Sequence, residues 1–198
     1  MLRELIEDTF EINTVEAYNR DLFIFKNHII IPYINNEVFI DVKSFETHDK
    51  FDYSYVIFKD VSVLFWNYGL NNITKYGKLK FSQEDNRKYN IGYVGGADAF
   101  TGFNGCEFKV KFQKQYLYLS ADVKIKSGSV NMWIPENPPN FERNIEEKDA
   151  RSFFAKDNIP TEILDLVETK NHSEIEVLNI FAPISPKEEK EIANDWVE

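Results

Sequence analysis

The stretch Glu107-Phe-Lys-Val-Lys-Phe112 decides the fold, because its side chains alternate strictly between apolar and charged. The apolar side chains fall on one face of an extended strand, namely Phe108, Val110 and Phe112. The charged ones fall on the other face, namely Glu107, Lys109 and Lys111. A period of two predicts a strand of an antiparallel sheet with one face buried and the other solvated.

Segment 115–125 continues the alternation immediately downstream. One face carries Leu117, Leu119, Ala121, Val123 and Ile125. Tyr116 and Tyr118 occupy the other face, which we expect to lie beneath a layer of helices. The connection at Gln113-Lys114 is far too short for a parallel crossover, so it predicts that the two strands are antiparallel neighbours.

Further strand patterns surround this pair. Segment 53–66 is too apolar to alternate, and its Lys59-Asp60 pair predicts a bulge or tight turn in a central strand pair. The other predicted strands are 37–43, 78–81, 88–94 and one within 170–181. The glycine-rich segment 91–105 lacks the spacing of a phosphate-binding loop and is interpreted as a loop that joins two strands.

Helical patterns mark both ends of the chain. Leu2, Leu5, Ile6 and Phe10 recur at helical spacing and predict a short N-terminal helix. After the proline-rich boundary at 135–140, helices are predicted over 146–156, over 160–167, and from the capping box Ser185-Pro-Lys-Glu188 onward. The sequence therefore predicts one α+β domain over 1–198. It has a β-rich antiparallel sheet or sandwich at 21–134 and an acidic, mainly helical part at 142–198.

The formal net charge is −10, and residues 136–198 hold sixteen of the acidic side chains against seven basic ones. This balance argues against a nucleic-acid binder, which needs a basic surface, and favours a basic protein partner. Acids that only keep the protein dispersed are the alternative. The candidate partner-binding residues are Glu146, Glu147, Asp149, Glu188, Glu189, Glu191 and Asp195.

Residues suited to catalysis or metal binding are few. The three histidines, His28, His48 and His172, stand in no metal-ligand spacing, and the single cysteine, Cys106, has no recognisable base beside it. We therefore expect neither a metal nor another cofactor. An enzyme that uses His48 or Cys106 in an unrecognised site stays open as an alternative.

Aromatic side chains supply the other alternative, a carbohydrate-binding β-sandwich that uses Trp66, Tyr68 and Trp133 near the ends of predicted strands. The N-terminus has neither the basic start nor the apolar run of a signal peptide, which counts against an extracellular sugar binder. No window approaches the roughly 18 apolar residues of a membrane span. We expect a cytoplasmic protein with no membrane partner.

The stretch Tyr55-Val-Ile-Phe-Lys-Asp-Val-Ser-Val-Leu64 and the strand over 117–125 resemble segments of small β-rich bacterial proteins, some of them assigned as immunity proteins of polymorphic toxin systems. The resemblance covers residues 53–125 and transfers no functional residue. It implies a cytoplasmic, non-catalytic, acidic binder that neutralises one toxin. The leading hypothesis is thus a protein-binding module, such as an immunity or antitoxin protein with a basic toxin as its partner.

Overall fold

The structure is a computed structural model that describes residues 2–5, 21–35, 52–70, 73–82, 87–98, 103–119, 155–180 and 185–196. The strands within these ranges are β1 Leu2–Leu5, β2 Asp21–Phe25, β3 His28–Asn35, β4 Asp52–Lys59, β5 Val63–Leu70, β6 Ile73–Lys80, β7 Asn90–Asp98, β8 Phe103–Phe112, β9 Lys114–Leu119 and β10 Glu176–Asn179. The α-helices are α1 Thr161–Leu166 and α2 Pro186–Trp196, and single 3-10 turns lie at Lys156–Asn158 and His172–Glu174.

The ten described strands form two antiparallel sheets. Sheet 1 has the order β1-β9-β4-β3-β2-β10, and sheet 2 has the order β6-β5-β8-β7. The predicted β-rich antiparallel fold is confirmed, and the described strands form two sheets rather than one. Sheet dominates the described residues more than the predicted α+β class implies, because residues 2–5 form a strand in place of the predicted N-terminal helix.

At two places, consecutive strands of the chain pass from one sheet into the other, and both places lie at a shared corner. β4 leads into β5 through Asp60–Ser62, and β8 leads into β9 through Gln113 alone. The ladder continues around the bend, because the Ser62 amide donates to the Lys111 carbonyl at 2.8 Å and the Gln113 amide donates to the Lys59 carbonyl at 3.1 Å. Asp60 turns the chain at a φ of 53°, a left-handed conformation that aspartate tolerates better than most residues.

The β2–β3 hairpin closes the corner from the side. The Asn27 carbonyl accepts from the Val61 amide at 2.8 Å, and Nδ1 of His28 accepts from the Asp60 amide at 3.2 Å. Asn27 also donates from its side chain to the Asp60 carboxylate at 3.2 Å. Each backbone amide that the bend removes from a regular ladder therefore has an acceptor, as buried amides require.

The inter-sheet core fills the space between the sheets. Its largest fully buried members are Phe58, Phe108, Leu22, Ile29, Ile31 and Leu64. Phe58 and Phe112 pack at a centroid distance of 4.8 Å beside the corner. The predicted inward residues Phe108, Val110, Phe112 and Leu117 all belong to this core.

Sheet 1 is buried on its second face as well. The C-terminal segment 155–175 covers that face before the chain enters β10, and it forms an outer core with the sheet, which contains Phe23, Ile30, Tyr55, Ile57, Tyr118, Ile163, Leu164, Val167 and Ile175. A strand with two buried faces does not need to alternate, which explains the apolar runs 29–31 and 55–58. The predicted position of Tyr118 beneath C-terminal elements is confirmed.

The predicted N-terminal helix is wrong for residues 2–5, which form β1 and pair antiparallel with β9. Leu2 packs against the outer core and Leu5 against the inter-sheet core, on opposite faces of sheet 1. Apolar residues three apart therefore fit a strand buried on both sides as well as a helix. Ile6 and Phe10 lie outside the described residues.

The predicted β8–β9 pairing is also wrong, because β9 pairs with β4 and β1 while β8 pairs with β5 and β7. A single residue at the corner, Gln113, cannot close a hairpin, but it suffices to redirect a strand. For the same reason the Lys59-Asp60 pair lies where the chain leaves one sheet for the other, and not in a central strand pair.

The glycine-rich segment 91–105 is mostly strand, in β7 and β8, rather than the predicted loop. Gly92 is needed there because a Cβ at this position would come within 2.8 Å of the Phe112 ring. The strand predicted at 37–43 and most of the helix predicted at 146–156 lie outside the described residues. The predicted strands β6, β7 and β10 and helices α1 and α2 are confirmed in type.

Gly77 on β6 gives a test of this packing. A Cβ at Gly77 would overlap the indole of Trp66, a buried ring on the neighbouring strand β5. We expect Gly77→Ala to lower the free energy of unfolding by about 1–3 kcal/mol, as for other overpacked cores. Urea denaturation measures this, with Lys80→Ala on the exposed end of the same strand as the control. Equal stabilities of the two variants would contradict the packing of Trp66 on β6.

Candidate functional site

Helix α2 begins at the predicted capping box. The Ser185 hydroxyl accepts from the Glu188 amide at 3.3 Å, and the Glu188 carboxylate accepts from the Ser185 amide at 3.0 Å. Two hydrogen bonds from Ser185 lower the pKa of Glu188: the larger effect comes from the Ser185 side chain and the smaller from its backbone amide. This candidate residue therefore stabilises the start of its own helix.

Two other candidate acids of α2 bind lysines of β6. Glu189 pairs with Lys75 at 3.2 Å, and Asp195 pairs with Lys78. Lys75 stands opposite Tyr68 and Lys78 stands opposite Phe65, so α2 crosses the edge of sheet 2 from its inner to its outer side. Both carboxylates thus hold the helix on the sheet.

Glu191 faces away from the sheet, with its side chain 66% exposed and Lys187 one turn earlier at 3.9 Å. The structure therefore separates the α2 acids into one that caps, two that dock the helix and one that faces solvent. Glu146, Glu147 and Asp149 lie outside the described residues.

Beneath and beside α2, four side chains stand at one level across the outer face of sheet 2. This lysine–aromatic row consists of Lys78, Phe65, Lys109 and Tyr93, on β6, β5, β8 and β7. The Lys78 ammonium lies 4.8 Å from the centroid of the Phe65 ring, and the Lys109 ammonium lies 6.0 Å from that of Tyr93. Cations placed over ring faces in this way are attracted by the ring quadrupole.

The last residue of α2, Trp196, closes over this row. Its indole packs edge-on against Phe65 at a centroid distance of 6.2 Å, and its carbonyl accepts from the Lys109 ammonium at 3.3 Å. Lys109 points outward as its period predicts, but it is only 5% exposed. The expectation of a solvated lysine is therefore wrong, because alternation identifies the face of a strand and not what covers that face.

A second charged surface lies on the opposite side of the molecule. The segment 155–180, called the acidic cover below, buries Ile159, Ile163, Leu164, Val167 and Ile175 against sheet 1. All six of its acidic side chains are exposed, namely Asp157, Glu162, Asp165, Glu168, Glu174 and Glu176, against two basic ones, Lys156 and Lys170. None of these six acids was among the predicted site residues.

The acidic cover is held firmly in place. The Lys59 ammonium from β4 donates to the Leu166 carbonyl at 2.8 Å, and Lys156 donates to the Ile175 carbonyl at 3.3 Å. The Thr169 hydroxyl donates to the Glu174 carboxylate at 2.7 Å. In a sequence, such a cover can be recognised by acidic residues that alternate with aliphatic ones. The periodicity then places the acidic side chains on one side of the segment and the aliphatic side chains on the other.

Two of the three aromatic residues predicted to bind carbohydrate are buried in the core. Trp66 and Tyr68 are each 7% exposed and belong to the inter-sheet core. The Trp66 indole donates to the Ile180 carbonyl at 3.2 Å and thereby ties sheet 2 to the end of the acidic cover. Burial, and then the charge of Glu189, raise the pKa of Tyr68. Trp133 lies outside the described residues.

The cysteine and the histidines are the remaining side chains considered for chemistry. Cys106 is 1% exposed, and its burial raises the pKa of the thiol well above the ordinary range. His172 lies 3.2 Å from the Ile159 carbonyl through Nε2, and His48 lies outside the described residues. Within the described ranges no cluster of three or more histidine, cysteine or acidic side chains is arranged to hold a metal.

Among the described residues, no helix combines the length and apolarity needed to cross a bilayer. Comparison with known proteins yields no match, whether to protein-family models, curated proteins or solved structures.

His28 at the corner provides a pH test. Burial, followed by the charge of Lys59, lowers the pKa of His28 from its ordinary value of 6.5. The neutral ring is then favoured in the folded state, so its contribution is present above about pH 6.5 and is lost as the pH falls toward the lowered pKa. Between about pH 7.5 and pH 5.5, the wild type should lose more unfolding free energy than His28→Asn, which retains an acceptor for the Asp60 amide.

Urea denaturation at the two pH values measures this difference. His172→Asn is measured alongside, as the matched replacement of a histidine outside the corner. A His28→Asn protein with the same pH dependence as the wild type would contradict the assignment.

Proposed function

We propose that this chain is a non-catalytic protein-binding module that presents its acidic cover to a basic protein partner. The proposal rests on one observation: six exposed carboxylates stand on a segment whose apolar side chains are anchored in the outer core. A rigid surface of one sign steers an oppositely charged partner and loses little entropy on binding.

The acidic cover fits this role better than α2, where the sequence placed most of the described candidates. Glu189 and Asp195 already neutralise lysines of their own sheet. Exposed carboxylates such as Glu162 and Asp165 on α1 can instead meet a partner's lysines or arginines. Charges of this kind act mainly on the rate of association and on its salt dependence.

The specific form of this proposal is an immunity or antitoxin protein that neutralises a basic toxin in the cytoplasm. Its support is the resemblance of segments 55–64 and 117–125 together with the exposed acidic surface. An acidic inhibitor that covers the basic surface of a toxin would need no chemistry of its own. No observation on the described aromatic residues favours the carbohydrate-binding alternative.

The test compares two variants with the same change in net charge. Glu162→Gln/Asp165→Asn alters the acidic cover, and the control Glu188→Gln/Glu191→Gln alters α2 while leaving glutamine able to complete the capping box. Basic proteins captured by the wild type from an extract of the source cells are identified, purified and measured for association by stopped flow at about 0.05 M and 0.3 M salt.

We expect the association rate of the wild type and the control to fall about tenfold over this salt range. The cover variant should associate more slowly than both at low salt, with an unchanged melting temperature. If the cover variant and the control associate at the same rate, the acidic cover only keeps the protein dispersed. If purified toxin partners retain full activity in the bound complex, the immunity role is excluded.

A further inference from the structure

The basic surface beneath α2 extends beyond the helix. Next to the lysine–aromatic row stands a parallel row across the same four strands, made of Lys80, Val63, Lys111 and Ile91. These eight outward side chains together are called the lysine–aromatic face. They include four lysines, in a chain whose net charge is −10. The next row on the same face carries Glu107, whose carboxylate accepts from the Asn67 side chain at 3.2 Å.

Part of this face is open. Tyr93 is 69% exposed and Ile91 is 52% exposed, both on β7 at the edge of sheet 2. Exposed large apolar side chains on a long strand at the edge of a sheet are unusual, because such edges are normally protected by charges or prolines. β7 carries neither between Asn90 and Ala97.

Polar contacts contribute to holding α2 on the sheet. No residue of α2 is fully buried, although Ile192, Ala193 and Trp196 are half-buried. Its contacts with the sheet include the Glu189 and Asp195 ion pairs, the Trp196 carbonyl on Lys109, and the ring contact of Trp196 with Phe65. Partly exposed ion pairs each contribute little to stability. A helix with no fully buried side chain can therefore be replaced by a ligand that binds the face more strongly.

We infer that the lysine–aromatic face is a binding site for an acidic segment of a partner protein, and that α2 is an internal ligand which this segment displaces. Charge complementarity selects the occupant, since four lysines attract carboxylates and α2 already supplies the Asp195 carboxylate, a carbonyl and an indole to the same row. The site goes beyond the proposed function, which uses the acidic cover on sheet 1.

Two features favour an acidic protein segment over a single-stranded nucleic acid, the other anion that stacks on rings of a sheet. Val63 and Ile91 add aliphatic surface, which suits side chains better than bases. The remainder of the chain is acidic and repels a polyanion, which carries a charge on every nucleotide, more strongly than it repels a short peptide with few charges.

The probe is a fluorescent peptide with the sequence of residues 185–198, titrated into the full-length chain and followed by anisotropy. Glu189→Gln/Asp195→Asn weakens the docking of α2, and Glu188→Gln/Glu191→Gln changes the same charge on the same helix without touching the sheet. Because an internal competitor lowers apparent affinity by the fraction of sites it leaves open, the first variant should bind the peptide at least about tenfold more tightly than the wild type and the control.

Two further measurements complete the experiment. Adding Lys78→Gln to the weakened variant should reduce peptide binding, whereas adding Lys170→Gln, an exposed lysine of the acidic cover, should not. In the wild type, excess peptide should accelerate hydrogen exchange of the amides of residues 186–196, a readout that does not require any variant to fold.

Equal peptide affinity of the weakened variant and the control, or unchanged exchange of α2 in excess peptide, would overturn the inference. Tighter binding of a thymidine oligonucleotide with the same label would reassign the face to nucleic acid. An absence of peptide binding would not affect the proposal for the acidic cover. Failure of this inference is therefore distinguishable from failure of the proposed function.

Discussion

The corner at which both strand pairs pass from sheet 1 to sheet 2 places every other element. Its backbone bonds between Ser62 and Lys111 and between Gln113 and Lys59 keep the ladder intact through the bend. Because the bend is shared, β4 and β9 lie in one sheet while their continuations β5 and β8 lie in the other. The outward side chains of β5 and β8 therefore face away from sheet 1, and this is the face on which α2 docks.

The acidic side chains of the acidic cover and of α2 have different roles, because the apolar residues of the two segments are buried to different extents. In the acidic cover the aliphatic side chains are buried in the outer core, so hydrophobic burial holds the segment and leaves its carboxylates exposed. In α2 no side chain is fully buried, and two of its carboxylates are used in ion pairs that help to hold the helix on the sheet. A charge count over 136–198 cannot separate these cases, although the physical consequences differ.

Much of the fold was predictable from the sequence, and the errors have common causes. Period-two alternation assigned Phe108, Val110 and Leu117 to the core, and the capping box located the start of α2. Strand pairing failed at Gln113, because local pattern cannot tell a hairpin from a corner when the connection is short. Leu2 and Leu5 suggested a helix because spacing alone does not show that a strand has two buried faces.

The candidate site was less predictable, since it depends on contacts between distant segments. The sequence identified the outward lysines of β8 and the acids of α2 separately. Nothing in either pattern shows that Lys78 meets Asp195, or that Trp196 covers Phe65, over a separation of more than a hundred residues. The acids of the cover were missed because their run is interrupted by the buried aliphatic residues that fix it in place.

The contact of Trp196 with Phe65 bears on how the protein can be handled. A chain that ended before residue 185 would uncover Phe65 on the same face as the exposed Tyr93 and Ile91, separated from them by the lysines of β8, and so would enlarge the exposed apolar surface near an open sheet edge. Patches of this kind on a free edge promote aggregation. The C-terminal helix thus acts as a built-in solubility device, and affinity tags are better attached where they do not pull α2 from the sheet.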